Sequence, residues 1–160
     1  MIPFNMDNNE NSSYSKDKFE NTVKTVTLPT STGTHDIADF GVPDVPRLGK
    51  IDSSNSIRIF CIGRETGTEA PLLQFEIDGT AATSEVEAPQ VRSHLGSDTN
   101  YNDGSDVTAD FSSDQKENWD FTSKITLTGR KVSTSDSTVE IEQAWLEVLY
   151  TTENPSTFIG

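Results

Sequence analysis

Few residues in this sequence are of types that form catalytic centres. His35 and His94 are the only histidines, and Cys61 is the only cysteine. His35 precedes Asp36, but a Ser-His-Asp triad also needs a serine held on a turn such as G-x-S-x-G, which the sequence lacks. Cys61 lies in the apolar run SIRIFCIG, which favours a buried thiol over a nucleophile. We therefore predict that the protein is not an enzyme.

Two pairs of glutamates have the spacing of neighbours on one face of a strand. Glu85 and Glu87 form one pair, and Glu140 and Glu142 form the other. In a strand this spacing places the carboxylates about 7 Å apart, and glycosidases use two carboxylates at comparable separations. Alternating glutamates on the solvated face of an antiparallel strand give the same pattern, and we favour that role.

The segment Ser97–Asp114 is rich in the oxygen donors that calcium prefers. The candidate metal ligands are Asp98, Asn100, Asp103 and Asp106. The segment departs from an EF-hand loop, because Asp103 holds the sixth position counted from Asp98 and Gly104 follows one residue late. Asn-Asp-Gly is also a strong turn signal. A calcium site and an exposed loop without metal both agree with the sequence, and we favour the loop.

Aromatic residues in or beside this segment offer a surface on which a sugar ring could stack. The candidate glycan-binding residues are Tyr101 and Trp119. Phe111 and Phe121 lie beside them, and packing in the protein core explains these two better. The sequon that begins at Asn11 is expected to stay unmodified, because no secretory signal precedes it.

The charge of the chain limits its partners. It has 26 acidic and 12 basic residues, for a net charge of −14. Such a charge repels phosphate backbones and anionic lipids, so we expect neither nucleic acid nor a membrane as a partner. The first residues lack the apolar segment of a signal peptide, and no apolar run approaches the length of a membrane span. We therefore expect synthesis in the cytoplasm.

Short β-rich runs, separated by Gly, Pro, Asn, Asp and Ser, begin at Thr22. They are TVKTVTL, HDIADFG, SIRIFCIG, PLLQFEIDG, SEVEAPQVR, VTADF, WDFTSKITLTG and STVEIEQAWLEVLYTT. About eight short strands with turn signals between them are typical of an antiparallel β-sandwich or barrel. No run has a sustained period of 3.6 residues, so we expect almost no helix.

Apolar residues alternate with polar ones in the longer runs, so each strand has one buried and one solvated face. The residues predicted to face inward are Ile57, Ile59, Phe75, Ile77, Ile125, Leu127, Leu146 and Val148. In the last run, Ile141 and Leu146 have opposite parity. We interpret this change as a β-bulge between Glu142 and Ala144, and a strand that passes between two sheets is the alternative.

Residues 1–21 differ from the rest of the chain, because they are rich in Asn, Ser, Asp and Lys and show no strand or helix period. Their candidate partner-binding residues are Ile2, Phe4, Tyr14 and Phe19. These side chains are too few to form a core. We expect an extended arm that is mobile in the isolated protein and docks on another subunit. The predicted organisation is an arm at 1–21, a β-sandwich at 22–152 and a tail at 153–160.

The predicted sandwich resembles the jelly-roll domains found in structural proteins of tailed viruses and in carbohydrate-binding modules. The matching positions are Ile57, Ile59, Gly63, Arg64, Leu73, Phe75, Ile77, Leu146, Val148 and Tyr150. The resemblance covers about residues 22–152. The acidic middle of the chain and most of the run VTLPTSTGTHDIADFG depart from the usual pattern.

The resemblance implies an all-β, two-sheet antiparallel jelly roll of about eight strands, located in a virion. The implied role is a non-enzymatic structural subunit, either a capsid decoration protein or a component of a tail or fibre. Its partners would be its own copies and a major shell or tail protein. The alternative is an adhesion module that binds a surface glycan. No cofactor is expected, apart from calcium in the alternative in which the segment Ser97–Asp114 binds a metal.

Overall fold

The structure is a computed structural model that describes residues 24–96 and 104–152 with their side chains. Before residue 24 it describes only the backbone of three short strands. The strands of the described residues are β1 (Ile2–Pro3), β2 (Asn5–Asp7), β3 (Ser12–Tyr14), β4 (Lys24–Thr27), β5 (Gly33–Gly41), β6 (Lys50–Ile51), β7 (Ile57–Glu65), β8 (Leu72–Ile77), β9 (Thr80–Ala81), β10 (Val86–Glu87), β11 (Ser93–His94), β12 (Ser105–Asp106), β13 (Ile125–Lys131), β14 (Thr138–Val148) and β15 (Tyr150–Thr151). Helical structure there is limited to a 3-10 turn, Thr108–Asp110, and one short helix, α1 (Ser113–Asn118).

Two antiparallel sheets pack face to face. Sheet A has the strand order β11-β7-β14-β4, and sheet B has the order β10-β8-β13-β5. The chain therefore alternates between the sheets, and the last strand, β14, lies in the middle of sheet A between β7 and β4. This is the strand order of a jelly roll. The prediction of a two-sheet jelly-roll sandwich of about eight strands is confirmed.

The core lies between the two sheets, as the alternating pattern predicted. Seven of the eight residues predicted to face inward are buried, and Val148 is partly buried and packs against the same core. Phe111 and Phe121 are also buried, with their ring centroids 5.5 Å apart in an edge-to-face contact. Their assignment to the core is confirmed.

Strand β14 contains the predicted β-bulge. Its register against β7 shifts between Ile141 and Gln143, while β14 stays in sheet A throughout. The extra residue lets Ile141 and Leu146 both face the core in spite of their opposite parity. Opposite the bulge, Gly63 has no room for a side chain, because an added Cβ would lie 2.0 Å from the carbonyl oxygen of Glu140.

The run VTADF was predicted as a strand, and this prediction is wrong, because the 3-10 turn occupies it. Thr108 explains the difference. Its Oγ1 accepts hydrogen bonds from the backbone N–H groups of Ser56 and Ile57, at 2.8 and 2.9 Å. Through these two bonds, the side chain of Thr108 holds the segment against the start of β7. The run SEVEAPQVR likewise contributes only the two residues of β10.

The described backbone of the arm is extended, and it pairs with its own chain. Strand β1 pairs with β14, β2 with β5, and β3 with β4, all antiparallel. Both β4 and β5 would otherwise be edge strands, whose N–H and C=O groups need partners. Phe4 and Phe19 lie outside the described residues, and docking of the arm on another subunit stays a prediction. Among residues 24–96 and 104–152, no helix is long and apolar enough to cross a membrane.

We predict that Leu146→Ala lowers the free energy of unfolding by roughly 2–5 kcal/mol, because the side chain is fully enclosed between the sheets. Urea denaturation of both proteins measures the difference. Leu149→Ala is the matched control, since Leu149 is 64% exposed and its truncation should change stability little. Equal midpoints for the parent and Leu146→Ala would show that the position of β14 is misassigned.

Candidate functional site

The chain on both sides of residues 97–103 pairs with the same edge of sheet A. Strand β11 pairs with β7 at Ile62 and Gly63, and β12 pairs with β7 at Arg58 and Ile59. Both lie on the side of β7 opposite β14. These pairings place β11, which precedes the segment Ser97–Asp114, and β12, which lies within it, along one strand, β7.

The structure describes one of the four predicted metal ligands. Asp106 is exposed, and its Oδ1 accepts hydrogen bonds from the backbone N–H and hydroxyl of Thr108, at 3.0 and 2.6 Å. The remaining three candidates, Asp98, Asn100 and Asp103, lie outside the described residues. In the part of the chain that is described, no three His, Cys, Asp or Glu side chains are grouped to hold a metal ion. The calcium site therefore stays a prediction.

An aromatic cluster that the sequence did not reveal lies on the outer face of sheet A. It consists of Phe60, His94 and Trp145, which we call the outer aromatic cluster. Phe60 and Trp145 face each other across β7 and β14, with parallel rings and centroids 5.1 Å apart. His94 meets the Phe60 ring edge-on at 4.9 Å. Phe60 and His94 are only 6% and 7% exposed, so this face of the sheet carries a small second core.

The outer aromatic cluster contacts the segment Ser97–Asp114 at Gly104. Gly104 lies against it in a left-handed conformation, with φ of +63°. An added Cβ there would lie 3.0 Å from two ring atoms of Phe60 and 2.7 Å from the carbonyl oxygen of Ile59. Both the conformation and the close approach require glycine at this position.

Polar atoms of the outer aromatic cluster are buried without partners. Within the described residues, neither Nδ1 of His94 nor Nε1 of Trp145 makes a hydrogen bond. Burial lowers the pKa of His94 below its ordinary value of 6.5, and the negative charge of Glu147 opposes this effect in part. The fold therefore holds His94 as a neutral ring.

Trp119 does not form the exposed surface predicted for glycan binding. Its side chain is 4% exposed, and its Nε1 donates a hydrogen bond of 2.9 Å to the carbonyl oxygen of Gly49. The rings of Phe121 and Tyr150 meet it edge-to-face, with centroids 6.0 and 5.1 Å away. The prediction of an exposed Trp119 is wrong, because distant residues enclose the indole. Tyr101 lies outside the described residues.

Trp119 nevertheless lies beside a cleft of about 260 Å³, which we call the Trp119 cleft. The residue ends α1 in a left-handed conformation, with φ of +52°. The polar side chains that line the cleft are those of Asp44, Asn118, Asp120 and Thr122. Asp120 already accepts hydrogen bonds within the chain, because its Oδ1 accepts from the backbone N–H and the hydroxyl of Thr122.

Cys61 and His35 lie in environments that fit structural roles. Cys61 is fully buried, and burial raises the pKa of its thiol far above the ordinary value, so it carries no thiolate at neutral pH. Nε2 of His35 lies 2.8 Å from the carbonyl oxygen of Ser31, to which it donates a local hydrogen bond. The interpretation of Cys61 as a buried thiol is confirmed.

Three of the four paired glutamates have arginine partners. Glu140 and Glu142 lie on β14, whereas Glu85 precedes β10 and is not part of a strand. Nε of Arg64 is 3.2 Å from Glu140, and Arg92 forms an ion pair with Glu142. Arg130 binds both carboxylate oxygens of Glu85 at 2.9 Å, which lowers the pKa of that glutamate. These pairs hold the carboxylates as charged surface groups, in keeping with the solubility role.

Comparison with known proteins gave no match to any protein family, to any curated protein or to any solved structure.

We predict that His94 makes stability depend on pH. Since its folded pKa is lowered, the unfolded chain takes up a proton first when the pH falls below 6.5. The contribution of neutral His94 to the free energy of unfolding is fully present above pH 6.5. It is lost as the pH falls from 6.5 to the pKa that His94 has in the folded chain. Urea midpoints at pH 7.5 and 5.5 should differ in the parent, and His94→Asn should reduce this difference.

His35→Asn is the matched control for this experiment, and it should keep the pH dependence of the parent. An NMR titration of the two imidazole rings identifies the His94 pKa directly, so the test does not depend on the stability of the variant. A ring of His94 that titrates at or above 6.5 would contradict the prediction.

Proposed function

We propose that this protein is a non-enzymatic structural subunit of a virion, either a capsid decoration protein or a component of a tail or fibre. The observation that carries the assembly role is the arm, whose strands extend both sheets of the sandwich on one side. The location in a virion rests on the jelly-roll resemblance of residues 22–152. In this proposal the chain is made in the host cytoplasm and binds its own copies and a larger shell or tail protein.

The pairing of the arm suits exchange between subunits. Ile2 lies opposite Leu146, Asn5 opposite Gly41, and Tyr14 opposite Lys24, so short segments of the arm pair with three different strands. Every copy of the chain presents these same edges. An arm that leaves its own sandwich can therefore pair with the corresponding edges of a neighbour, which is the geometry of strand addition and domain swapping.

The energetics of the arm favour docking through side chains as well as backbone. Ordering a residue costs about 1–2 kcal/mol, whereas a hydrogen bond contributes a net of about 0.5–1.5 kcal/mol. Strands of two or three residues therefore gain little from pairing alone. In the proposal, Ile2, Phe4, Tyr14 and Phe19 supply the burial that makes docking favourable.

The contacts of the chemically active residues support a non-enzymatic role. The Cys61 thiol is protonated inside the sandwich, His94 packs as a neutral ring against Phe60, and Glu85 is paired with Arg130. Each of these groups contributes to packing or to the surface charge. The jelly roll itself is shared by viral capsid proteins and lectins, so it supports the assembly role by analogy alone.

We predict that removing residues 1–21 leaves the sandwich folded and abolishes or weakens its assembly. Cooperative thermal unfolding checks the fold, and sedimentation velocity over a range of concentrations checks self-association. The same deletion should reduce the amount of the protein in virions purified from producing cells. A deleted chain that associates and is incorporated like the parent would remove the main support for this function.

A synthetic peptide of residues 1–21 provides a second measurement. Added to the deleted chain, it should bind to the vacated edges and raise the melting temperature, because the edge strands regain their partners. A peptide of the same composition in scrambled order is the matched control and should not bind. Equal binding of both peptides would show that no specific strand pairing is involved.

The Trp119 cleft favours a second candidate function, an adhesion module that binds a glycan. Its lining includes the carboxylates of Asp44 and Asp120, which would accept hydrogen bonds from sugar hydroxyls, whereas the buried rings of Trp119 and Phe121 offer little surface for stacking. A glycan array probed with the full chain tests this. If a sugar binds there, Asp44→Ala should weaken binding, whereas Asp114→Ala on α1 should not.

A further inference from the structure

Two short pieces of chain form one edge of sheet A. Strands β11 and β12 are each two residues long, and both pair with β7 on the side opposite β14. We call residues 93–96 and 104–106, which contain these strands, the β7 border. The hydroxyl of Ser105 donates a hydrogen bond of 3.0 Å to the carbonyl oxygen of Gly96, so the two pieces are joined to each other. The β7 border is therefore a small unit that two short strands hold to β7.

His94 attaches the β7 border to the outer face of sheet A. Its side chain is buried, and its ring meets the ring of Phe60 edge-on, with centroids 4.9 Å apart. The ring of Trp145 lies 6.5 Å away. Gly104, in the other piece of the border, lies against the same Phe60 ring. Both pieces of the border therefore contact one aromatic ring of β7.

Protonation of His94 would place a charge in this apolar contact. Both ring nitrogens of a protonated histidine are donors, whereas Nδ1 of His94 is buried and makes no hydrogen bond within the described residues. A protonated Nδ1 would therefore be a buried donor without an acceptor, which costs free energy as long as the border stays paired. Once the border leaves β7, water hydrates the ring and removes this cost.

The strands around His94 carry charges of both signs. These charged residues are Arg58 and Arg64 on β7, Asp106 on β12, Glu140, Glu142 and Glu147 on β14, and Arg92 just before β11. Arg64 and Arg92 are paired with Glu140 and Glu142. Burial lowers the pKa of His94, and the charge of Glu147 opposes this effect only in part. The attraction of Glu147 therefore does not compensate for the loss of hydration.

Asp110, in the 3-10 turn that follows β12, responds to acid in the opposite direction. Burial and the negative charge of Asp106 raise the pKa of Asp110. Protonation of Asp110 at lower pH thus relieves a cost in the folded chain. Of these two groups, only His94 would loosen the border as the pH falls.

Release of the β7 border would bring His94 into water without unfolding the rest of the sandwich. Protonation favours every state in which the ring is hydrated, and local opening costs less free energy than unfolding of the whole domain. Release also exposes Leu95, whose side chain is buried in the core. Opening is therefore rare while His94 is neutral.

We infer that the β7 border is an acid-sensitive switch, in which protonation of His94 releases residues 93–96 and 104–106 from β7 before the sandwich as a whole unfolds. The release leaves N–H and C=O groups of β7 without partners, and such an edge can pair with a strand of another chain. The inference does not rest on the proposed assembly role.

Amide hydrogen exchange of the full chain, followed by NMR at pH 7.5 and 5.5, tests the inference. The reporter is the N–H of Leu95, which donates to the carbonyl oxygen of Cys61 at 2.7 Å. After correction for the intrinsic exchange rate, its protection factor should fall several-fold at pH 5.5. The N–H of Leu28, which donates to the carbonyl oxygen of Ser137 outside the border, should keep its protection.

His94→Phe keeps a ring in the outer aromatic cluster and cannot be protonated, so the protection of Leu95 should no longer depend on pH. His35→Phe is the matched control and should behave like the parent. If His94→Phe does not fold, His94→Asn carries the same expectation. Equal protection of Leu95 at both pH values in the parent, a parallel loss at Leu28, or a pH dependence that persists in the His94 variant would each overturn the inference.

Discussion

The insertion of β14 between β7 and β4 is the constraint on which the rest of the structure depends. Sheet A is incomplete until the last long strand pairs with strands formed by residues 24–27 and 57–65. Such non-local pairing makes folding slow compared with helical proteins. The bulge after Ile141 then fixes the register, and a slip of one residue would bring Trp145 into the core and Leu146 to the surface. The inner core and the outer aromatic cluster therefore depend on the same pairing.

The alternation of apolar and polar residues predicted much of the fold, because in a strand with one solvated face the residue types show which side chains face the core. The change of parity between Ile141 and Leu146 even located the bulge. Phe60 was missed, because it lies on the outer face of β7, where Trp145 and His94 from other strands pack against it. Trp119 was misassigned for a related reason, since the carbonyl group that accepts its N–H is 70 residues away. When residues far away in the chain bury a side chain, the neighbouring sequence does not show it.

Charge is distributed differently on the sheets and at the Trp119 end of the molecule. On the solvated sheet faces Arg64, Arg92 and Arg130 each accompany a glutamate, and such exposed pairs contribute little stability. Near Trp119, three cations, Arg47, Lys50 and Lys116, line one cleft together with Glu117. The sheet faces therefore carry charges of both signs in pairs, whereas this cleft holds more basic than acidic residues. No sequence pattern predicted this grouping, because Arg47 and Lys116 are brought together only by the fold.

The position of Cys61 makes the protein's only sulfhydryl group a kinetic reporter. It lies on β7 in the core between the two sheets, so a thiol reagent in solvent reaches it only when the sandwich opens around it. The rate of alkylation then measures how often the centre of sheet A opens. The same enclosure keeps the folded chain from forming mixed disulfides, so its covalent state is independent of the redox potential of its surroundings.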